Sequence, residues 1–277
     1  MPSIHANGVE LHYVARGSEG DPAALVHGSW VDLRSWRAVL PGLAGSMQVI
    51  AYDRRGHGQS TFVPRAHALE SDAADLGALL EATNHYPAHL VGHSYGAIVA
   101  LRLAVDRPEL VRSLSLHEPP YLGLLDDDPA TAPEAERLRS GLRAEQDRIR
   151  RGDLEGAARE VFGHFAGDPT AWDRFRPETR AELLRYTPRW LEEFSDPATE
   201  RPPAGPGLRE LLIPILLTEG TVSPAFLHRM SVALERALVN ATVRQLRDAG
   251  HDPQITHPDL YVATLLAFLV ERNVPTM

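Results

Sequence analysis

The chain of 277 residues has no cysteine and no lysine. Without cysteine there is no disulfide framework, no thiol nucleophile and no thiolate metal site. All 28 basic residues are arginine, so a Schiff-base lysine and a Walker lysine are both excluded, and with them PLP and P-loop chemistry. Positive charge is in deficit, with 37 acidic residues against 28 basic ones and a net charge of -9. That balance argues against a nucleic-acid or anionic-membrane partner, since both demand clustered positive charge. No apolar run reaches the length of a membrane span, and residues 1–17 lack the apolar core of a signal peptide. The expectation is a cytoplasmic protein acting on a small molecule, with no cofactor and no metal. Its oligomeric state is left open.

Hydrophobic content of 43% and charged content of 23% fit a globular protein with a substantial core. The stretch around which the chain is organised is His89-Leu90-Val91-Gly92-His93-Ser94-Tyr95-Gly96-Ala97-Ile98-Val99-Ala100. A short apolar run breaks into Gly-x-Ser-x-Gly and then into a helical pattern. Gly92 and Gly96 lack a Cβ, so strand and helix can approach around a strained turn that exposes the Ser94 hydroxyl. Ser94 is the candidate nucleophile; the plain alternative is a tight turn with an exposed serine.

Before this elbow, Asn7-Gly8 between alternating apolar residues predicts a hairpin over Ile4 to Arg16, and Ala23 to Val26 predicts a strand covered on both faces. That strand runs into His27-Gly28-Ser29-Trp30. Ser35 to Leu43 reads as helix, Met47 to Tyr52 as strand, and Leu69 to Thr83 as helix, with the glycine-punctuated loop Asp53 to Ser60 in between. After the elbow come a helix to Val105 and a strand from Val111 to Glu118. From Pro119 to about Ala204 only helical patterns occur, with apolar stripes over Leu154 to Phe165 and Leu183 to Phe194. The linker Arg201 to Gly207 is too rich in proline and glycine to join a helix or central strand. A strand over Ile213 to Thr218, a helix over Ala225 to Leu238, a strand over Ala241 to Leu246 and a helix over Asp259 to Arg272 complete an alternation that predicts a mostly parallel sheet.

The elbow, the His27-Gly28 loop, the Asp53 to Ser60 loop and Gly250-His251 together resemble the α/β-hydrolase superfamily over essentially the whole chain, weakly through 119–204. The resemblance implies an α/β fold with a mostly parallel eight-stranded sheet, a core of residues 1–118 and 205–277, and a helical lid of residues 119–204. It implies a serine hydrolase. His251, after the last strand, stands where the family places its catalytic base. The other twelve of the 13 histidines have plainer uses. His27 and His57 are expected to make structural hydrogen bonds, and His93 to point away from the pocket. His85 and His89 flank Pro87, which makes a helical metal pair a poor prospect. The oxyanion of an acyl-transfer reaction needs preorganised donors. Tyr95, directly after the nucleophile, supplies one backbone N–H by position, and Ser29 is expected to supply the other.

The acid departs from the commonest family pattern. Where many relatives have Gly-x-x-Asp after the strand that follows the lid, this chain has Gly220-Thr221-Val222-Ser223. Glu118, at the end of the strand after the elbow helix, is the alternative, and its placement resembles that of haloalkane dehalogenases and resorcylic-lactone hydrolases. A residue that merely leads into the lid is the competing role for Glu118, and Glu219 and Asp252 are the fallback acids. Serine at the nucleophile position argues against dehalogenase and epoxide-hydrolase chemistry. Trp30, Tyr121, Phe162, Trp172 and Trp190 are the expected pocket walls, favouring an apolar or aromatic substrate. Ester or lactone hydrolysis leads; thioester, amide or carbon-carbon hydrolysis, a ligand-binding receptor and a pseudo-enzyme are the alternatives.

Overall fold

A computed structural model describes residues 2–64, 67–204 and 206–272. Asn7 and Gly8 both take positive φ, 48° and 76°, and turn β1 (Ser3–Ala6) back onto β2 (Val9–Arg16) as the Asn-Gly pair requires. The remaining strands are β3 (Pro22–Val26), β4 (Gln48–Tyr52), β5 (Ala88–His93), β6 (Val111–His117), β7 (Ile215–Gly220) and β8 (Ala241–Leu246). They form one eight-stranded sheet in the order β1-β2-β4-β3-β5-β6-β7-β8. β2 is antiparallel to both its neighbours, and every pair from β4 onward is parallel.

Helix α1 (Ala68–Ala82) leads into β5, and α2 (Tyr95–Asp106) leaves it directly after Ser94. Between β6 and β7 lies a helical insertion that carries α3 (Ala132–Arg150), α4 (Leu154–Ala166), α5 (Pro177–Leu184) and α6 (Thr187–Glu193). α7 (Ala225–Ala237) separates β7 from β8, and α8 (Pro258–Arg272) closes the chain's described part. Parallel strands need cover on both faces. One face of the sheet packs on Leu76, Leu80, Ile98 and Leu234; the other packs on Trp36, Leu43, Tyr261 and Phe268. A further apolar cluster inside the insertion joins Ile149, Val161, Trp172, Leu183 and Trp190 to Trp30 of the core.

Three expectations change. The stretch from Ser35 to Leu43 is a 3₁₀ turn over Leu33–Trp36 followed by a separate short helix over Leu40–Ala44. The stripe from Leu183 to Phe194 spans two helices, because Pro188 in the first turn of α6 has no N–H with which to continue α5. The longest insertion helix, α3, gave no stripe of its own because it buries only Ala135, Glu145, Gln146 and Ile149. Gly205, in the linker and at the expected start of the second core segment, lies outside the described residues, as do residues 273–277 at its end.

Candidate active site

Ser94 sits between β5 and α2 with φ 53° and ψ -122°, a conformation that costs an L-residue roughly 1–3 kcal/mol and persists only where the surroundings impose it. The glycines at either side are what make that turn fit. A Cβ on Gly92 would lie 2.5 Å from the Ala97 Cα, and one on Gly96 would lie 2.2 Å from the Val26 carbonyl oxygen. Strand β5, helix α2 and the end of β3 therefore meet at backbone contact, which brings the His27 to Trp30 loop beside Ser94. Trp30 and Glu118 also hold positive φ, 64° and 45°. Thus three of the candidate site residues take conformations that side chains usually avoid, each in the connection that follows the C-terminal end of an interior parallel strand.

Glu118, directly after β6, is 1% exposed. Its Oε1 accepts the Gly220 N–H at 2.8 Å and its Oε2 accepts the His251 Nδ1 proton at 2.7 Å. The carboxylate therefore bridges from β6, across the end of β7, to the loop after β8. Burial alone would raise its pKa, but His117, the His251 hydrogen bond and the Ser223 hydroxyl hold it well below the usual carboxylate range. His251 responds in the opposite sense: burial favours its neutral form, yet the Glu118 hydrogen bond and charge, with Asp252 adding to them, raise its pKa above 6.5. Ser223, at the usual aspartate position, donates its N–H to the carbonyl of Gly220, whose own N–H Glu118 accepts, so both residues meet Gly220 at the end of β7.

The fallback acids go elsewhere. Glu219 accepts from Gln245 at 2.9 Å. Asp252 lies 3.5 Å from His93 Nε2 and has no contact with the His251 Nδ1. His93 does not point away from the site as expected. It lines the cavity, its Nε2 contacts the His251 carbonyl at 2.7 Å, and its ring lies 4.9 Å from the His251 ring, because the turn at Ser94 throws the preceding side chain toward the β8 loop. Burial lowers its pKa to about 3 and keeps it neutral. Among the described residues, His117, Glu118 and His251 form the one group with donor atoms close enough to share a metal, within 4.8 Å of one another. A metal there would take the Glu118 oxygen that His251 uses.

The His27 to Ser29 loop is held from behind. Arg54 donates through Nε to His27 O and through Nη2 to Gly28 O, both at 3.0 Å. The Arg54 amide donates to His27 Nε2, so His27 Nδ1 carries the proton and donates to Gly28 O at 2.8 Å. In a trans peptide the C=O and the following N–H point in opposite directions. Two donors clamp Gly28 O on the buried side, so the Ser29 N–H is turned the other way. Among the described residues neither the Ser29 nor the Tyr95 amide donates to a backbone acceptor.

Ser29, Ser94 and His251 line a cavity of about 440 Å³ beneath the insertion. Trp30, Phe162 and Trp190 form its apolar walls together with Phe165, Phe175 and Phe194, while Asp32, Arg34, Arg37 and Glu182 also line it. Tyr121 and Trp172 do not line it. Tyr121 is packed into the sheet core, and Trp172 stands behind Phe162, at 5.2 Å between ring centroids, with its Nε1 donating to Glu155. Both are fully buried because they fill the interior of their own layers.

Arg54, Asp72, Glu193, His93 and His117 were not singled out as site residues. A trace existed in the sequence: Asp72 and Asp75 fall on the same face of α1 as Leu69, Ala73, Leu76 and Leu79. Acids on an apolar stripe need buried cations, and Arg54 and Arg55 meet them.

A family model described as the alpha/beta hydrolase fold matches residues 24–258. The chain is 35% identical over 125 residues to the uncharacterized hydrolase YraK of Bacillus subtilis, a match that covers 44% of this chain and 46% of that one. The chain thus spans under half the length of this relative. It is 25% identical to the putative carbamate hydrolase RutD of Azorhizobium caulinodans, across 98% of this chain and 99% of the relative. The crystal structure of the enol-lactonase from Burkholderia xenovorans superposes with a TM-score of 0.72 at 21% identity, covering 97% of this chain and all of that one, a likeness of fold. With most of its length matched and its strands in this order around a Gly-x-Ser-x-Gly elbow, the chain belongs to the alpha/beta hydrolase fold family.

Proposed function

We propose that the protein is a serine hydrolase that cleaves an ester or lactone of an apolar or aromatic small molecule through an acyl-enzyme. One observation carries this: the buried Glu118 carboxylate holds His251 Nδ1 at 2.7 Å, leaving Nε2 free to serve Ser94 in the same cavity. A serine hydroxyl is a weak nucleophile at neutral pH and needs a base whose tautomer and charge are fixed by a third group. Glu118 supplies both. Its acceptance of the Nδ1 proton leaves Nε2 as the basic nitrogen, and its charge stabilises the imidazolium.

In the reaction Ser94 Oγ adds to the carbonyl carbon while its proton passes to His251 Nε2. The carbonyl oxygen takes the negative charge and receives the Ser29 and Tyr95 N–H groups, the latter at the first turn of α2, where the helix dipole also favours an anion. His251 returns the proton to the departing alkoxide, and water activated by the same imidazole then releases the acid. Ring walls from Trp30, Phe162, Trp190 and Phe194 favour an apolar or aromatic acyl or alcohol portion, with the polar end near Arg34 and Glu182.

The test combines labelling and turnover. A fluorophosphonate is expected to label wild type at Ser94 alone, and Ser94→Ala is expected to stay folded while hydrolysis of p-nitrophenyl butyrate falls by roughly four to six orders of magnitude. A label on Ser29, or full turnover by Ser94→Ala, overturns the proposal.

A further inference from the structure

Beside the ring contacts of Trp30 with Phe162 and Trp190, the insertion hydrogen-bonds Ser29 through the side chain of Glu193. Glu193, the last residue of α6, is fully buried, and its two oxygens serve different partners. Oε1 accepts from Arg54 Nη1 at 2.7 Å, and Oε2 accepts from Ser29 Oγ at 2.5 Å. Arg54, together with His27 Nδ1, clamps Gly28 O and so sets the direction of the Ser29 N–H. Its other Nη1 contact is Asp72 Oδ2 at 2.8 Å, and its guanidinium carbon lies 4.6 Å from the centre of the Tyr95 ring. The peptide between Gly28 and Ser29 is therefore gripped at both ends by groups that converge on one carboxylate of the insertion.

We infer that Glu193 is a positioning residue for oxyanion stabilisation, so that the seating of α6 on the core sets the aim of the Ser29 N–H. The inference rests on the acyl-transfer chemistry proposed above. The physical case is a matter of tolerance: an oxyanion donor works only when preorganised within tenths of an ångström of the developing charge. A carbonyl held by a guanidinium keeps its peptide plane only while that guanidinium is itself fixed. Asp72 anchors Arg54 to α1, but only Glu193 also fastens the Ser29 side chain, which stops the peptide from rotating about its own axis. Arg189, on the same helix, donates to Asp72 at 3.2 Å, so α6 is tied to the core at two points of one buried charge network.

The experiment reads oxyanion binding separately from ground-state binding. Kinetics with p-nitrophenyl butyrate give kcat and KM, inhibition by a trifluoromethyl ketone of matching chain length reports the tetrahedral oxyanion, and inhibition by butyrate reports the ground state. Glu193→Ala is expected to lower kcat and the ketone affinity together by roughly 10- to 100-fold, less than deleting a donor outright, with KM and butyrate affinity within about threefold. Glu193→Gln, whose amide can still touch both Arg54 and Ser29, should recover most of the loss. Ser29→Ala, which removes the tether and no charge, should lower kcat and ketone affinity in parallel, and it decides the matter if Glu193→Ala does not fold. Unchanged ketone affinity in Ser29→Ala and in any folded Glu193 variant, or equal losses against ketone and butyrate, would overturn the inference. Wild type that neither turns over the ester nor labels at Ser94 would instead sink the hydrolase proposal.

Discussion

Glu118 Oε2 and His251 Nδ1 lie 2.7 Å apart, joined across the end of β7 by a carboxylate that starts at β6. The contact explains how a chain with serine at position 223 can still stabilise a charged imidazole. Replacing the acid of an analogous triad by its amide costs on the order of 10⁴ in turnover. Glu118→Gln is accordingly expected to lose several orders of magnitude in kcat. Glu219→Gln and Asp252→Asn should lose far less, since neither carboxylate contacts Nδ1. In the Glu118→Gln background, Ser223→Asp should recover part of the activity, because Ser223 and residue 118 both hydrogen-bond Gly220 at the end of β7. Near-normal turnover in Glu118→Gln would remove Glu118 from the chemistry.

The pH dependence follows from the same contact. In the proposed reaction His251 must be neutral to accept the Ser94 proton, so kcat/KM is expected to fall as pH drops through its pKa. The Glu118 hydrogen bond and charge raise that pKa against the opposing effect of burial, which puts the midpoint of the acid limb above 6.5 in wild type. In Glu118→Gln the burial remains, both Glu118 causes are gone and only the Asp252 charge still raises the pKa, so the limb of the residual activity should move to lower pH. Stability responds with its own sign. A carboxyl depressed below its unfolded value of 4.5 stabilises the fold above that pH and loses its contribution as pH falls. Wild type should therefore lose more melting temperature than Glu118→Gln between pH 5 and pH 3, as measured by calorimetry.

Most of the architecture was legible in the sequence because period and punctuation agree there. Apolar runs such as Ala23 to Val26 are the mark of doubly covered strands, and Asn7-Gly8 and the elbow glycines stand where the backbone turns. Legibility ended where long-range contacts decide. The partners of Glu118, Gly220 and His251, are 102 and 133 residues away, and only the resemblance to relatives with an acid in that position pointed to it. The Arg54–Glu193 pair, 139 residues apart, left no local trace at all on α6. Aromatics in the insertion could be counted but not aimed, since period alone does not say whether a ring faces the cavity or the interior of the insertion.

Phe162 and Trp172 turn that distinction into an experiment. Phe162 lines the cavity and Trp172 supports it from behind. Phe162→Ala should reorder the preference among p-nitrophenyl esters of different chain length and leave reactivity with a small phosphonate within a few-fold. Trp172→Ala should instead cost stability, about 3–5 kcal/mol for emptying a buried aromatic site, read as a lower urea midpoint. A Trp172 variant of wild-type stability with altered ester ranking would place that ring against the substrate after all.

Ser94 at φ 53° and ψ -122° holds a strained conformation that the proposed chemistry uses and the stability of the fold does not. A residue in such a conformation costs the fold of order 1–3 kcal/mol, and glycine relieves most of that. Against the relief stands the extra backbone freedom glycine gives the unfolded chain, about 0.4–1 kcal/mol. The balance favours glycine by roughly 0–2 kcal/mol. Ser94→Gly and Ser94→Ala should be equally inactive, since neither has a nucleophile, yet the glycine variant should unfold at the higher urea concentration. The comparison is made between two dead proteins, so no contribution from bound product or from autolysis enters it. An alanine variant more stable than the glycine one would mean that the turn between β5 and α2 holds no strain at Ser94, and that Gly92 and Gly96 absorb the whole of the bend.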